Sequence, residues 1–186
     1  MLDKIPDSGQ FCILPWIHFH ALPNKKVLPC CMANSDLPVS STGKESVIEM
    51  MNTDEYKELR RNMLSGINSE CCNRCYDVER VGQWSLRQSA NAVRGHKNLD
   101  LINATQEDGT IDEFKLQYVD IRWSNICNFK CRSCGPEFSS LHAKEFIENK
   151  GGIEKLQQYF RMDNMVVSCN ADNSFFDKVK PYLKDV

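Results

Sequence analysis

The sequence predicts an α+β fold in which an N-terminal β-hairpin and several helices gather around a four-cysteine site, followed by a strand, a cysteine loop and further helices. Residues 17–31 alternate in side-chain character on either side of Pro23-Asn24-Lys25-Lys26, as two strands joined by a turn require. Cap residues followed by apolar positions at helical spacing recur between Thr42 and Leu64. Finally, Phe114-Lys-Leu-Gln-Tyr-Val-Asp-Ile-Arg-Trp123 alternates and is rich in β-branched and aromatic residues. It runs into Cys127-Asn-Phe-Lys-Cys131-Arg-Ser-Cys134, which puts three thiols on a loop at the C-terminal end of a strand.

Phe11-Cys-Ile-Leu-Pro-Trp16 leads into a strand over 17–22, and Val27-Leu28-Pro29-Cys30-Cys31 is the returning strand, so Cys12 and Cys30 come to the open end of the hairpin. His18 and His20 share one face of the first strand and read as ordinary half-exposed strand residues ahead of zinc ligands. Thr42 and Glu45 offer a capping box for a short helix ending at Met51. Thr53, with Asp54 and Glu55 in the first turn, caps a helix over 55–64 that Gly66 stops, its stripe of Tyr56, Leu59 and Met63 facing the core. Residues 77–93 have helical composition despite Gly82, and Gly95 ends that stretch. Residues 96–113, rich in Asn, Asp, Gln and Thr with a turn at Asp108-Gly109, read as a linker. After Gly135-Pro136 a helix is expected over 137–149, stopped by Gly151-Gly152, then a short helix over 153–160, a strand at 165–168, and a helix over 174–183 despite Pro181.

A chain of 186 residues with 41% hydrophobic and 26% charged residues has the composition of a globular protein of one ordinary domain or two small ones. A net charge of -2 lacks the basic footprint of a nucleic-acid binder. There is no apolar run of about 18 residues, so no membrane span is expected. The N-terminal ten residues are polar and lack the apolar centre of a signal peptide, which places the ten cysteines in a reducing, cytoplasmic compartment. There, clustered cysteines act as metal-binding thiolates more often than as disulfides.

Nine of the ten cysteines fall in groups, and Cys169 stands apart as a small buried or idle residue. Cys12, the Cys30/Cys31 pair and the C-x2-C at Cys72 and Cys75 supply two thiols from a hairpin and two from a tight turn, enough to close a tetrahedral zinc or four-iron site. Cys30, which directly follows Pro29, is preferred over Cys31, and the spacing leaves Cys71 open. The triad Cys127, Cys131 and Cys134 is one thiol short of a zinc site. His142 or a distant residue would have to complete such a site, and His142 reads as an exposed helix residue. A four-iron cluster takes one thiolate per iron, so three cysteines leave one iron open, and ferredoxin-like electron carriers generally ligate all four.

The C-x3-C-x2-C of Cys127, Cys131 and Cys134 resembles the signature of the radical S-adenosylmethionine (SAM) superfamily, found in the loop after the first strand of an incomplete radical SAM (β/α)6 partial barrel. The resemblance implies that these three cysteines hold a 4Fe-4S cluster whose open iron binds SAM. It also implies a reducing electron donor, cleavage of SAM to a 5′-deoxyadenosyl radical, and hydrogen abstraction from a substrate. The residue before the third cysteine is commonly aromatic in that family and is Ser133 here. Cys12-x-x-Pro-Trp, Val27-x-Pro-Cys-Cys and Cys72-x-x-Cys-Tyr, with Glu79, Gly82, Ser85 and Arg87 following, resemble the SPASM and twitch modules over residues 11–90. That implies an auxiliary iron-sulfur cluster on Cys12, Cys30, Cys72 and Cys75. Glu79 and Arg87 read as a surface or structural pair.

The expected organisation is therefore an auxiliary module over 1–95, a linker over 96–113 and the start of a barrel over 114–186. Roughly fifty residues follow the triad, room for one or two βα units, and Gly151-Gly152 does not follow a strand as the family's Gly-Gly-Glu-type motif would. An N-terminal fragment or truncated product is expected, one that associates or is poorly stable unless a partner completes the barrel. Such relatives often act on peptides, which makes a peptide the preferred substrate class. The alternative is a structural or interaction module that binds zinc through the same cysteines.

Overall fold

The computed structural model describes residues 2–6 and 8–185. It is a mixed α+β arrangement whose four-stranded sheet has the order β3-β2-β1-β4, formed by β1 (His18–Ala21), β2 (Lys26–Leu28), β3 (Ser40–Ser41) and β4 (Tyr118–Ile121). β1 and β2 form the antiparallel hairpin, with His20 opposite Leu28, and Lys25 (φ 68°) turns the chain between them. β4 lies parallel to β1 with His18 opposite Tyr118, so the strand that leads into the triad is hydrogen-bonded to the hairpin near the N-terminus. After β4, the described residues add an isolated antiparallel bridge between Ser124 and Ser168 where a strand over 165–168 was expected.

Several boundaries differ from the sequence expectation. The first strand begins at His18 because Leu14–Ile17 form one helical turn, α1, in which Pro15 occupies a position that needs no amide proton. The cap of α2 (Val47–Met51) is Ser46, whose hydroxyl accepts from the Glu49 amide, while Thr42 lies buried in the preceding turn. The Thr53 cap holds as expected: its side chain accepts from Tyr56 N and starts α3 (Asp54–Leu64). The helix expected over 77–93 is two helices. α4 (Asn73–Arg80) starts four residues earlier and ends at Gly82 (φ 77°), and α5 (Leu86–Ala90) restarts on a capping box between Ser85 and Gln88. Its last residues widen into a π-turn over Asn91–Gly95. Residues 96–113 carry α6 (Leu99–Asn103). Beyond the triad, Ser139 caps α7 (Ser140–Lys150), which Gly151 (φ 109°) separates from α8 (Gly152–Phe160), and α9 (Ser174–Val179) continues as a 3-10 turn.

One core joins these parts. Phe11, Trp16, Phe19, Val27, Met50, Tyr56 and Met63 from the N-terminal half pack with Phe114, Leu116, Phe175 and Val179 from the other. Arg60 is fully buried within it, its guanidinium 5.1 Å from the Tyr56 ring centroid and donating to the Pro15 carbonyl (3.1 Å) and the Gly109 carbonyl (3.1 Å). Burial lowers its pKa to about 10, with Tyr56 opposing. α7 and α8 close a smaller core of their own around Ala143, Leu156 and Met162. No helix among the described residues is long and apolar enough to cross a membrane.

Candidate metal centres

Cys12 stands just before α1, on a backbone clamped from both sides. Arg87 Nη1 (2.9 Å) and Asn91 Nδ2 (2.8 Å) donate to the Phe11 carbonyl, and Ile13 N donates to Asn91 Oδ1 (2.9 Å). Cys72 is the cap residue of α4 and Cys75 lies in its first turn, one turn before Glu79 on the same helix. Arg87 Nε donates to Glu79 Oε1 (2.9 Å), its Nη2 pairs with Glu79 Oε2, and the Ser85 hydroxyl donates to the same carboxylate. One ion pair thus ties the peptide of Cys12 to the helix of Cys72 and Cys75. Burial works against the Glu79 carboxylate, but the hydrogen bonds from Arg87 and Ser85 outweigh it and hold its pKa below the usual range.

The thiols perturb one another in a pattern that locates them. Burial pushes Cys12 up to about 12; the Leu14 amide opposes this, and Cys75 adds to it. Cys30 is raised by burial, then by Cys12 and Cys75. Cys72 is raised by its contact with Cys71 (Sγ to Sγ 3.8 Å), by burial, and by Cys71, Cys12 and Cys30. Cys12, Cys30, Cys72 and Cys75 are thus near enough to influence one another's ionisation, as Cys71 is to influence Cys72. Cys31 lies close enough to influence both Cys30 and Tyr118, whose pKa is raised by burial and then by Cys31. All ten cysteines are free thiols.

Burial penalises ionisation at Cys12, Cys30 and Cys72, and a thiophilic metal group would offset that penalty by supplying positive charge while releasing their protons. The donor set therefore fits a tetrahedral sulfur-ligated centre. Among the described residues no three His, Cys, Asp or Glu side chains already stand at coordinating distance, so ligation requires the thiols to rotate inward.

The triad occupies a different setting. Cys127 is half-buried, Cys131 and Cys134 are exposed, and Cys134 N donates to the Cys131 carbonyl (3.0 Å), folding the second half of the loop into a turn. The start of α7 holds the first half: Ser139 Oγ donates to the Phe129 carbonyl (2.8 Å) and Ser140 Oγ lies 3.3 Å from both N and O of Cys127. His142 Nε2 is 3.0 Å from the Cys131 carbonyl, so the histidine weighed as a fourth donor is engaged by backbone. Ile126 and Phe129 project into solvent from the same loop.

His18 and His20 depart from the half-exposed expectation, being 0% and 3% exposed. The parallel register sets Tyr118 against His18 (ring centroids 4.3 Å apart) and Asp120 beside His20 (Nδ1 to Oδ2 3.0 Å, an ion-pair distance without hydrogen-bond alignment), which closes the face. Cys169 is buried, its thiol 3.5 Å from the carbonyls of Arg122 and Trp123. The sequence reading missed Asn91 and Asn125, two buried amides that brace the chain beside Cys12 and Cys127. An Asn amid apolar neighbours was the available signal in each case.

Residues 12–76 match the SPASM family, an iron-sulfur cluster-binding domain, and this span runs from Cys12 to Tyr76, taking in all six N-terminal cysteines. Iron-sulfur cluster binding is thus the function that attaches to the N-terminal part of the chain. No curated protein and no solved structure matches the chain.

Proposed function

We propose that the chain is a radical SAM iron-sulfur protein in which an N-terminal SPASM module holds an auxiliary cluster through Cys12, Cys30, Cys72 and Cys75, and a second cluster sits on Cys127, Cys131 and Cys134. The observation that carries the reading is the three-thiol loop after β4, with Cys131 and Cys134 exposed and His142 directed at a backbone carbonyl. Three protein donors and no fourth leave an open corner, which a structural zinc site does not have. A reduced 4Fe-4S cluster bound there supplies the electron that cleaves SAM and begins hydrogen abstraction.

The chain's own part is placement. β4 and α7 act as the first βα unit of a partial barrel. Ser139 and Ser140 fix the Cys127 side of the loop, and the Glu79–Arg87 pair fixes Cys12 against α4. SAM, an electron donor and a substrate, with peptides the preferred class, are the partners, in a reducing compartment. Anaerobic expression followed by iron, sulfide and zinc analysis tests the reading, with two clusters per chain expected. Replacing Cys127, Cys131 and Cys134 by Ala is expected to remove one cluster together with reductive SAM cleavage, and Cys72→Ala with Cys75→Ala to remove the other. Zinc without sulfide would overturn the reading in favour of a zinc-binding interaction module.

A further inference from the structure

We propose that Asn125 is the positioning residue of the three-thiol loop, a proposal that rests on reading that loop as a cluster site. Asn125 is fully buried although Ile126 beside it is 72% exposed. Its Nδ2 donates to the carbonyls of Pro136 (3.1 Å) and Met165 (2.9 Å), and its Oδ1 accepts from Val167 N (2.9 Å). Its backbone N donates to Val167 O (3.2 Å) and its carbonyl accepts from Ser140 N (2.7 Å). Five hydrogen bonds at one residue therefore join the end of the β4 strand, the exit of the loop two residues past Cys134, the first turn of α7 and the returning segment.

Besides Asn125, the loop is held at single points by α7, Ser139 to the Phe129 carbonyl and His142 to the Cys131 carbonyl. Ile126, Phe129, Cys131 and Cys134 are exposed, so no apolar burial offsets the entropy of ordering it. Ser140 brackets Cys127 and is itself bonded to the Asn125 main-chain carbonyl, whose position is fixed by the three side-chain bonds of Asn125, so Cys127 is placed through them. The three side-chain bonds are specific to asparagine. Aspartate has the shape but no protons to give two carbonyls, and a buried carboxylate facing them is repelled. Glutamine is a methylene longer than the space between the three partners.

Asn125→Asp in the full chain tests this. With Cys72→Ala and Cys75→Ala as background, so that only triad iron is present, the variant is expected to lose iron to a chelator about tenfold faster or more, and to show a broadened EPR signal. With the triad cysteines replaced by Ala, the same substitution is expected to leave auxiliary iron release unchanged. Equal rates with and without the substitution in the first background, or acceleration in both, would overturn the proposal. Hydrogen exchange on the metal-free chain reads the same placement without iron: amides over 126–139 and 165–168 should exchange faster and those over 11–30 should not. Unchanged exchange over 126–139 would also overturn it. If the original chain takes no iron on the triad, the cluster reading fails, and hydrogen exchange alone decides the role of Asn125. Should Asn125→Asp lose protection over 11–30 as well, Asn125→Ser, which buries no charge, carries the same measurements and the same two outcomes.

Discussion

His18 carries a neutral ring into the interior of the sheet. A carbonyl can only accept, so Nδ1, 3.3 Å from Pro29 O, bears the proton, and the buried Nε2 has no partner. Burial, and then His20, hold its pKa down to about 4 from 6.5. His20 is lowered in the same sense by burial, with Asp120 opposing. A depressed basic group makes the unfolded chain the better proton acceptor between those two values, so stability is complete above pH 6.5 and declines as the pH falls toward 4. Urea unfolding of the metal-free chain under reductant is expected to lose about 2 kcal/mol between pH 7 and pH 5 from His18 alone. His18→Asn, which keeps the donor to Pro29, is expected to flatten that slope. The pairing of His18 with His20 on one face was legible from their spacing. Their burial was not, because the covering residues Tyr118 and Asp120 arrive from a strand a hundred positions away.

Helices in this chain start and stop where side chains and glycines dictate locally, and those signals were readable where they were unambiguous. Thr53 with two acids behind it gave α3 correctly, and Gly151 gave the end of α7. Competing signals misled: Thr42 and Ser46 both precede a Glu by three, and it is Ser46, with the extended backbone (φ -137°, ψ 162°) that a cap needs, that starts the helix. The break between α4 and α5 turns on Gly82 followed by the Ser85–Gln88 box, and helical composition alone hid it. Residues 96–113 read as polar, yet Gly109 is bound tightly to α3. At φ +89° an added Cβ would stand 2.2 Å from the Lys57 carbonyl oxygen, and the Gly109 carbonyl accepts from buried Arg60. Gly109→Ala is therefore expected to destabilise the chain by more than about 2 kcal/mol, with the loss seen as a lower urea midpoint at unchanged slope.

At the level of the molecule, the hairpin, the thiol set and the strand before the triad were legible because each is a short local pattern, whereas the parallel pairing of β1 with β4 left no local trace. That pairing, and a core in which Phe19 meets Phe175 (ring centroids 5.9 Å apart), make the two halves mutually dependent. A fragment ending at residue 113 would leave the β1 edge bare and part of the core open. It is expected to show poorer chemical-shift dispersion than the full chain and to self-associate more strongly. A dispersed, monomeric spectrum from that fragment would refute this dependence.

Pairing His18 with Tyr118 also sets an order of events during synthesis. Tyr118 is added 43 residues after Cys75, and at roughly 5–20 residues per second the interval is a few seconds. The hairpin and α4 need only near neighbours to form, whereas the parallel seam waits for a distant strand. The N-terminal half therefore emerges with one edge of its sheet still open, and its folding is completed only when the strand around Tyr118 has followed it out.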